Sequence, residues 1–79
     1  MKFPHKKLVE AGFIMYDFKD DEIHYKNHSI GKDVSIEVTT EYKPLKQYVE
    51  LNIKERYQKI EVKSFDDLLL LCKLLNILK

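Results

Sequence analysis

The sequence predicts an α+β domain of two layers, spanning residues 1–79 as a single unit. An antiparallel meander of four to five strands is expected, with a short N-terminal helix and a leucine-rich C-terminal helix on one of its faces. Three observations predict it. Within residues 22–54, three segments alternate apolar and polar side chains with the period of two of a half-buried strand. The links between them are short, which favours hairpins over parallel crossovers. The chain then closes on SFDDLLLLCKLLNILK, in which seven of sixteen residues are leucine.

The elements follow in order. PHKKLVEAGF reads as the first helix, with Pro4 suited to its first turn and Gly12 to its stop. Leu8, Val9 and Phe3 are its expected inner side chains. FIMYDF, residues 13–18, is aromatic and β-branched, and predicts a strand after the glycine. Lys19, Asp20 and Asp21 form a polar turn. Residues 22–28 alternate, with Ile23 and Tyr25 on one face and His24 and Lys26 on the other. Gly31 supplies a flexible point in the next turn. Residues 33–40 give the clearest strand: Val34, Ile36 and Val38 point inward, and Ser35, Glu37 and Thr39 point to water. Pro44 breaks the pattern. Residues 47–54 resume it through Val49, Leu51 and Ile53, and residues 57–63 through Ile60 and Val62. The inward parity switches from odd to even between Ile53 and Ile60, so a turn or bulge is required at residues 54–56. The polar face of this sheet should carry Lys26, Glu37, Glu50, Lys59 and Glu61.

The totals exclude several classes. A chain of 79 residues makes one modest core, removing about 60–65% of its unfolded surface from water. Fourteen basic residues against thirteen acidic ones give a net charge of +1. That is no footprint for a nucleic acid or an anionic membrane. Arg56 is the one arginine, and arginine is the preferred bidentate reader of phosphate and guanine. Cys72 is the one cysteine, so no intrachain disulfide forms. The apolar run from Leu68 to Leu78 is broken by Lys73 and Asn76 and falls short of the about 20 residues a bilayer helix needs. The N-terminal residues lack the apolar stretch of a signal peptide. A soluble, cytoplasmic protein without a cofactor is expected.

The last helix carries the functional expectation. Ser64 is a natural N-cap, and Asp66 and Asp67 complement the positive end of the helix dipole. Rotation by about 100° per residue gathers Phe65, Leu68, Leu69, Cys72 and Leu75 on one side. Leu70, Leu74, Ile77 and Leu78 gather roughly opposite, with Leu71 on a flank. A helix lying on a sheet buries one side, and a helix apolar all round is usually buried all round. The second side can be covered by the first helix, by a second copy across a two-fold axis, or by a different protein. The first helix has two turns at most, too little to hide four large residues. Self-association as a homodimer, or binding of another protein, through Leu70, Leu74, Ile77 and Leu78 is therefore expected.

Other constellations weigh less. Glu61-Val62-Lys63 matches half of a metal-dependent nuclease motif, with Asp33 as its conceivable second acid. The three letters are common in a chain rich in Lys and Glu, and a solvated strand edge is the simpler reading. DFKDDE lacks the central glycine of a calcium loop. His24 and His28 share a strand face but lie ~13 Å apart, too far for one metal ion. No catalytic set and no metal site is legible. Tyr16, Tyr25, Tyr42, Tyr48 and Tyr57 among the lysines give the alternative, a nucleic-acid-binding module using the polar sheet face; the charge balance counts against it.

The order of LVEAGFIMYDF, IHYKN, alternating strands and FDDLLLLCKLLNIL resembles small uncharacterised proteins encoded by phages and prophages of low-GC Gram-positive bacteria. The likeness covers most of the chain in architecture and spacing, without a diagnostic motif. It implies a non-enzymatic accessory protein that binds a host or defence protein, and it transfers no functional residue. The leucine run is denser than that group's usual closing helix.

Overall fold

Among the described residues, seven elements form where the local signals point. They are α1 (His5–Glu10), β1 (Ile14–Lys19), β2 (Glu22–His28), β3 (Val34–Tyr42), β4 (Leu45–Ile53), β5 (Arg56–Ile60) and α2 (Phe65–Leu74). The computed structural model describes residues 1–29 and 33–77. The expectations for Gly31 and Leu78 lie outside the described residues. The five strands form one antiparallel sheet in the order β1-β2-β3-β4-β5, as the alternation predicts. The architecture is α+β, with both helices contributing buried side chains to one core.

Hairpin loops of two residues make three of the four connections in this meander. Asp20–Asp21 joins β1 to β2, Lys43–Pro44 joins β3 to β4, and Lys54–Glu55 joins β4 to β5. Lys54 and Glu55 have φ of 51° and 67°, the left-handed pair a two-residue hairpin loop demands and that Asn-Gly usually supplies. This turn accounts for the parity switch between Ile53 and Ile60. β5 stops at Ile60, short of the expected residue 63, and Val62 reaches the core from beyond its end.

The core joins Phe3, Leu8, Phe13, Tyr25, Ile36, Val38, Val49, Leu68 and Cys72, with Val62 and Ile77 closing its ends. Val9 is exposed rather than inward, because α1 is under two turns long and only Leu8 points squarely at the sheet. Gln47 anchors the N-terminal segment from β4. Its Oε1 accepts from the Phe3 N–H at 2.8 Å, and its Nε2 donates to the Phe3 carbonyl at 2.7 Å and to Thr40 Oγ1 at 2.9 Å. The Tyr25 hydroxyl lies 2.7 Å from His5 Nδ1, so a core tyrosine keeps its polar end satisfied.

Both helices end by the same device. In α1, Gly12 has φ of 100°, its N–H donates to the Val9 carbonyl, and the Phe13 N–H donates back to Leu8. In α2, Asn76 has φ of 56°, its N–H donates to the Lys73 carbonyl, and the Ile77 N–H donates back to Cys72 at 2.8 Å. This is the Schellman arrangement, in which one left-handed residue reverses the chain and the next apolar residue folds back onto the helix. Phe13 and Ile77 are those apolar residues, and both are buried. Ile77 also bridges to Ser29 beyond the end of β2. The expectation that Ile77 lies on the outer side of the last helix is thereby corrected: the helix ends at Leu74, and the continued 100° rotation no longer applies.

Candidate interaction surfaces

The start of α2 is fixed as its sequence requires. Ser64 Oγ accepts from the Asp67 N–H at 3.1 Å, and Asp66 and Asp67 occupy the first turn with Lys73 in the last. Leu68 and Cys72 are buried against the sheet, and Phe65, Leu71 and Leu75 pack partly against the same core. Leu69, expected on the buried side, is exposed beside α1, where it borders a hollow of about 280 Å³ with Lys7, Glu10, Ala11 and Phe65. α1 therefore lies on the Leu69 flank. It does not reach Leu70 or Leu74, which are 55% and 71% exposed.

Leu70 and Leu74 border an apolar groove of about 510 Å³. Its floor and far wall come from Leu51 of β4, Ile60 of β5 and Val62, with Leu71 on the helix side. Glu61, Lys63 and Asp67 form the charged rim. Glu61 thus belongs to this groove and not to the polar sheet face expected for it. Of the four residues expected to dock a partner, Leu70 and Leu74 stand together at the groove, Ile77 is in the core, and Leu78 lies outside the described residues.

The opposite face of the sheet is not the wet face its alternation suggests. Glu37 is 4% exposed, and Ser35 and Thr39 on the same side of β3 are buried with it. A row of paired residues crosses four strands here: Lys26, Glu37, Glu50 and Lys59. Tyrosines roof it over. The Tyr16 hydroxyl, from β1, donates to Glu37 Oε1. Lys26 Nζ lies 4.0 Å from Glu37 Oε2 and 5.6 Å from the Tyr16 ring centre. Lys59 Nζ sits 4.4 Å over the Tyr48 ring. Burial and then the Glu37 carboxylate push the Tyr16 phenol well above its usual value. On β5, the Glu37 carboxylate is the main cause raising Tyr57. Glu37 Oε2, Ser35 Oγ and Asn52 Oδ1 are buried with no hydrogen-bond partner among the described residues, places that ordered water commonly fills.

The sheet's first edge was missed in the sequence. β1 is terminal in the strand order, and Ile14 and Phe18 are each 67% exposed, with Met15 and Tyr16 about half exposed. The signal was present: FIMYDF is apolar at successive positions rather than alternate ones, and the first strand of a meander is an edge by construction.

The remaining motifs do not assemble. Asp33 precedes β3 beside the Lys54–Glu55 turn, whereas Glu61 follows Ile60, which pairs with Val49 midway along β4. Among the described residues no three His, Cys, Asp or Glu side chains gather to hold a metal ion. His24 is engaged by Glu22 at 3.0 Å and by Thr39 at 3.1 Å. Burial pushes the Cys72 thiol up to about 11, so the thiolate that would react is suppressed at neutral pH. Among the described residues no helix is long and apolar enough to cross a membrane. The chain matches no family model, no curated protein and no solved structure.

Proposed function

We propose that the protein is a small, non-enzymatic interaction module that self-associates through α2, with a second copy seated on Leu70, Leu74 and the adjoining groove. The observation that carries this is the pair of leucines left in water beside an apolar groove that α1 does not cover. Water contact at a large apolar side chain forgoes about 1.5–3 kcal/mol of possible burial.

The charges on the helix support a second copy as the occupant. Asp66, Leu70, Lys73 and Leu74 share the exposed side of α2. Two such helices packed antiparallel about an axis near Leu70 bring Asp66 of each copy toward Lys73 of the other. The acidic first turn then meets a basic last turn, and the helix dipoles oppose favourably. A net charge of +1 adds little repulsion between copies. The ridge is smaller than the ~800 Å² per partner of a standard interface, so the dimer is weak and depends on concentration. Nucleic acid is the poorer fit, because the tyrosine-lined face holds Glu37 and Glu50 at its centre and its lysines already lie against tyrosine rings.

Sedimentation velocity across a concentration series tests the reading. Wild type should shift from monomer toward dimer as concentration rises. Leu74→Asp should move the shift to much higher concentration while retaining the native circular dichroism spectrum and cooperative unfolding. A wild type that stays monomeric throughout overturns the proposal, and so does a Leu74→Asp variant that unfolds, which would make the face part of the core.

A further inference from the structure

The two edges of the sheet are built differently. β5 presents Arg56, Gln58 and Lys59 beside a half-exposed Tyr57, and charged and polar groups of this kind are how natural edges discourage pairing. β1 presents Ile14, Met15, Tyr16 and Phe18, all about half exposed or more. No described strand pairs with its outer side, so that side holds unpaired backbone donors and acceptors.

We infer that β1 pairs antiparallel with β1 of a second copy across a two-fold axis, joining two five-stranded sheets into one. The sequence of the strand fits itself. A bulge between Met15 and Asp17 leaves Met15 and Phe18 on the same face, opposite Tyr25 and Ile23 of β2. With the axis between Tyr16 and Asp17, Met15 of each copy lies across from Phe18 of the other, a favourable sulfur–aromatic pairing. Ile14 lies across from Lys19, whose aliphatic stem can cover it. Asp17 and Lys19 leave the strand without net charge overall; the two Asp17 side chains stand diagonally across the axis, each directly opposite Tyr16 of the other copy. β5 carries Arg56 and Lys59 with no acidic residue, so two copies of it would repel. Main-chain hydrogen bonds supply the attraction, and the side chains set the register.

This contact is independent of the α2 groove, which borders β4 and β5 on the far side of the sheet. The two can therefore be tested apart. In a Leu74→Asp background, where the helix contact is disabled, sedimentation should still reveal a dimer at high concentration. Adding Phe18→Lys should reduce it to monomer; Phe18 is two-thirds exposed, so the monomer fold should be kept. In wild type, hydrogen exchange of the β1 amides facing away from β2 should slow as concentration rises, while β5 amides stay unchanged. Concentration-independent exchange in β1 overturns the inference. So does extended polymer that Phe18→Lys and a charge reversal at Arg56 both dissolve, because the occupant of β1 would then be β5 of the next copy.

Discussion

α1 and α2 end in the same backbone arrangement, yet only one of the two ends announces itself. Gly12 closes α1 and Asn76 closes α2; each takes a positive φ, and each is followed by an apolar residue that folds back into the core. Glycine does this without steric cost, so a helix is expected to stop there. Asparagine tolerates the conformation less readily, and inside a leucine run it passes for a polar interruption of a continuing helix. The consequence is large for a small domain. The reversal at Asn76 sends Ile77 inward to 5% exposure and shortens the exposed apolar side of α2 to Leu70 and Leu74.

If the two ends are equivalent anchors, their buried residues should both matter. Phe13→Ala should cost about 3–5 kcal/mol in chemical denaturation, since it removes an aromatic side chain from the core. Ile77→Ala should follow at about 2–5 kcal/mol. An Ile77→Ala variant as stable as wild type would break the comparison and return Ile77 to the surface. Next come the turn residues themselves. Gly12→Ala should lose about 1–2 kcal/mol, the cost of forcing a Cβ into the left-handed region, and Asn76→Ala should lose less, because asparagine already carries a Cβ there and only its better tolerance of that region is removed. Asn76→Gly should change stability least, by a few tenths of a kcal/mol, because relief of backbone strain offsets the added freedom of the unfolded chain. A loss from Asn76→Gly as large as that from Asn76→Ala would mean that the asparagine side chain, and not its backbone, ends the helix.

The strand elements were legible because side-chain alternation is local. Val34, Ile36 and Val38 declare one face of β3, and Val49, Leu51 and Ile53 declare the matching face of β4 in the register they adopt. The opposite face was misread for a reason of the same kind. Ser35, Glu37 and Thr39 are polar, and polarity on a half-buried strand normally means water. Here Tyr16 from β1 covers them from one sheet edge and Tyr57 on β5 approaches Glu37 from the other. Neither approach can be inferred from the residues of β3 alone. The α2 surface was half legible: rotation found Leu70 and Leu74, but it ran past the true helix end to Ile77.

By itself the sequence determined the two-layer class, an antiparallel meander of four to five strands, the break at residues 54–56, and the capped start of the last helix. Those follow from periodicities and caps that act over a few neighbouring residues. Tertiary structure decided that Glu37 is enclosed, that β1 stands open, and that α1 lies on the Leu69 flank while Leu70 and Leu74 remain in water. Each depends on which element lies beside which, because burial is a property of the packed neighbourhood and not of the residue.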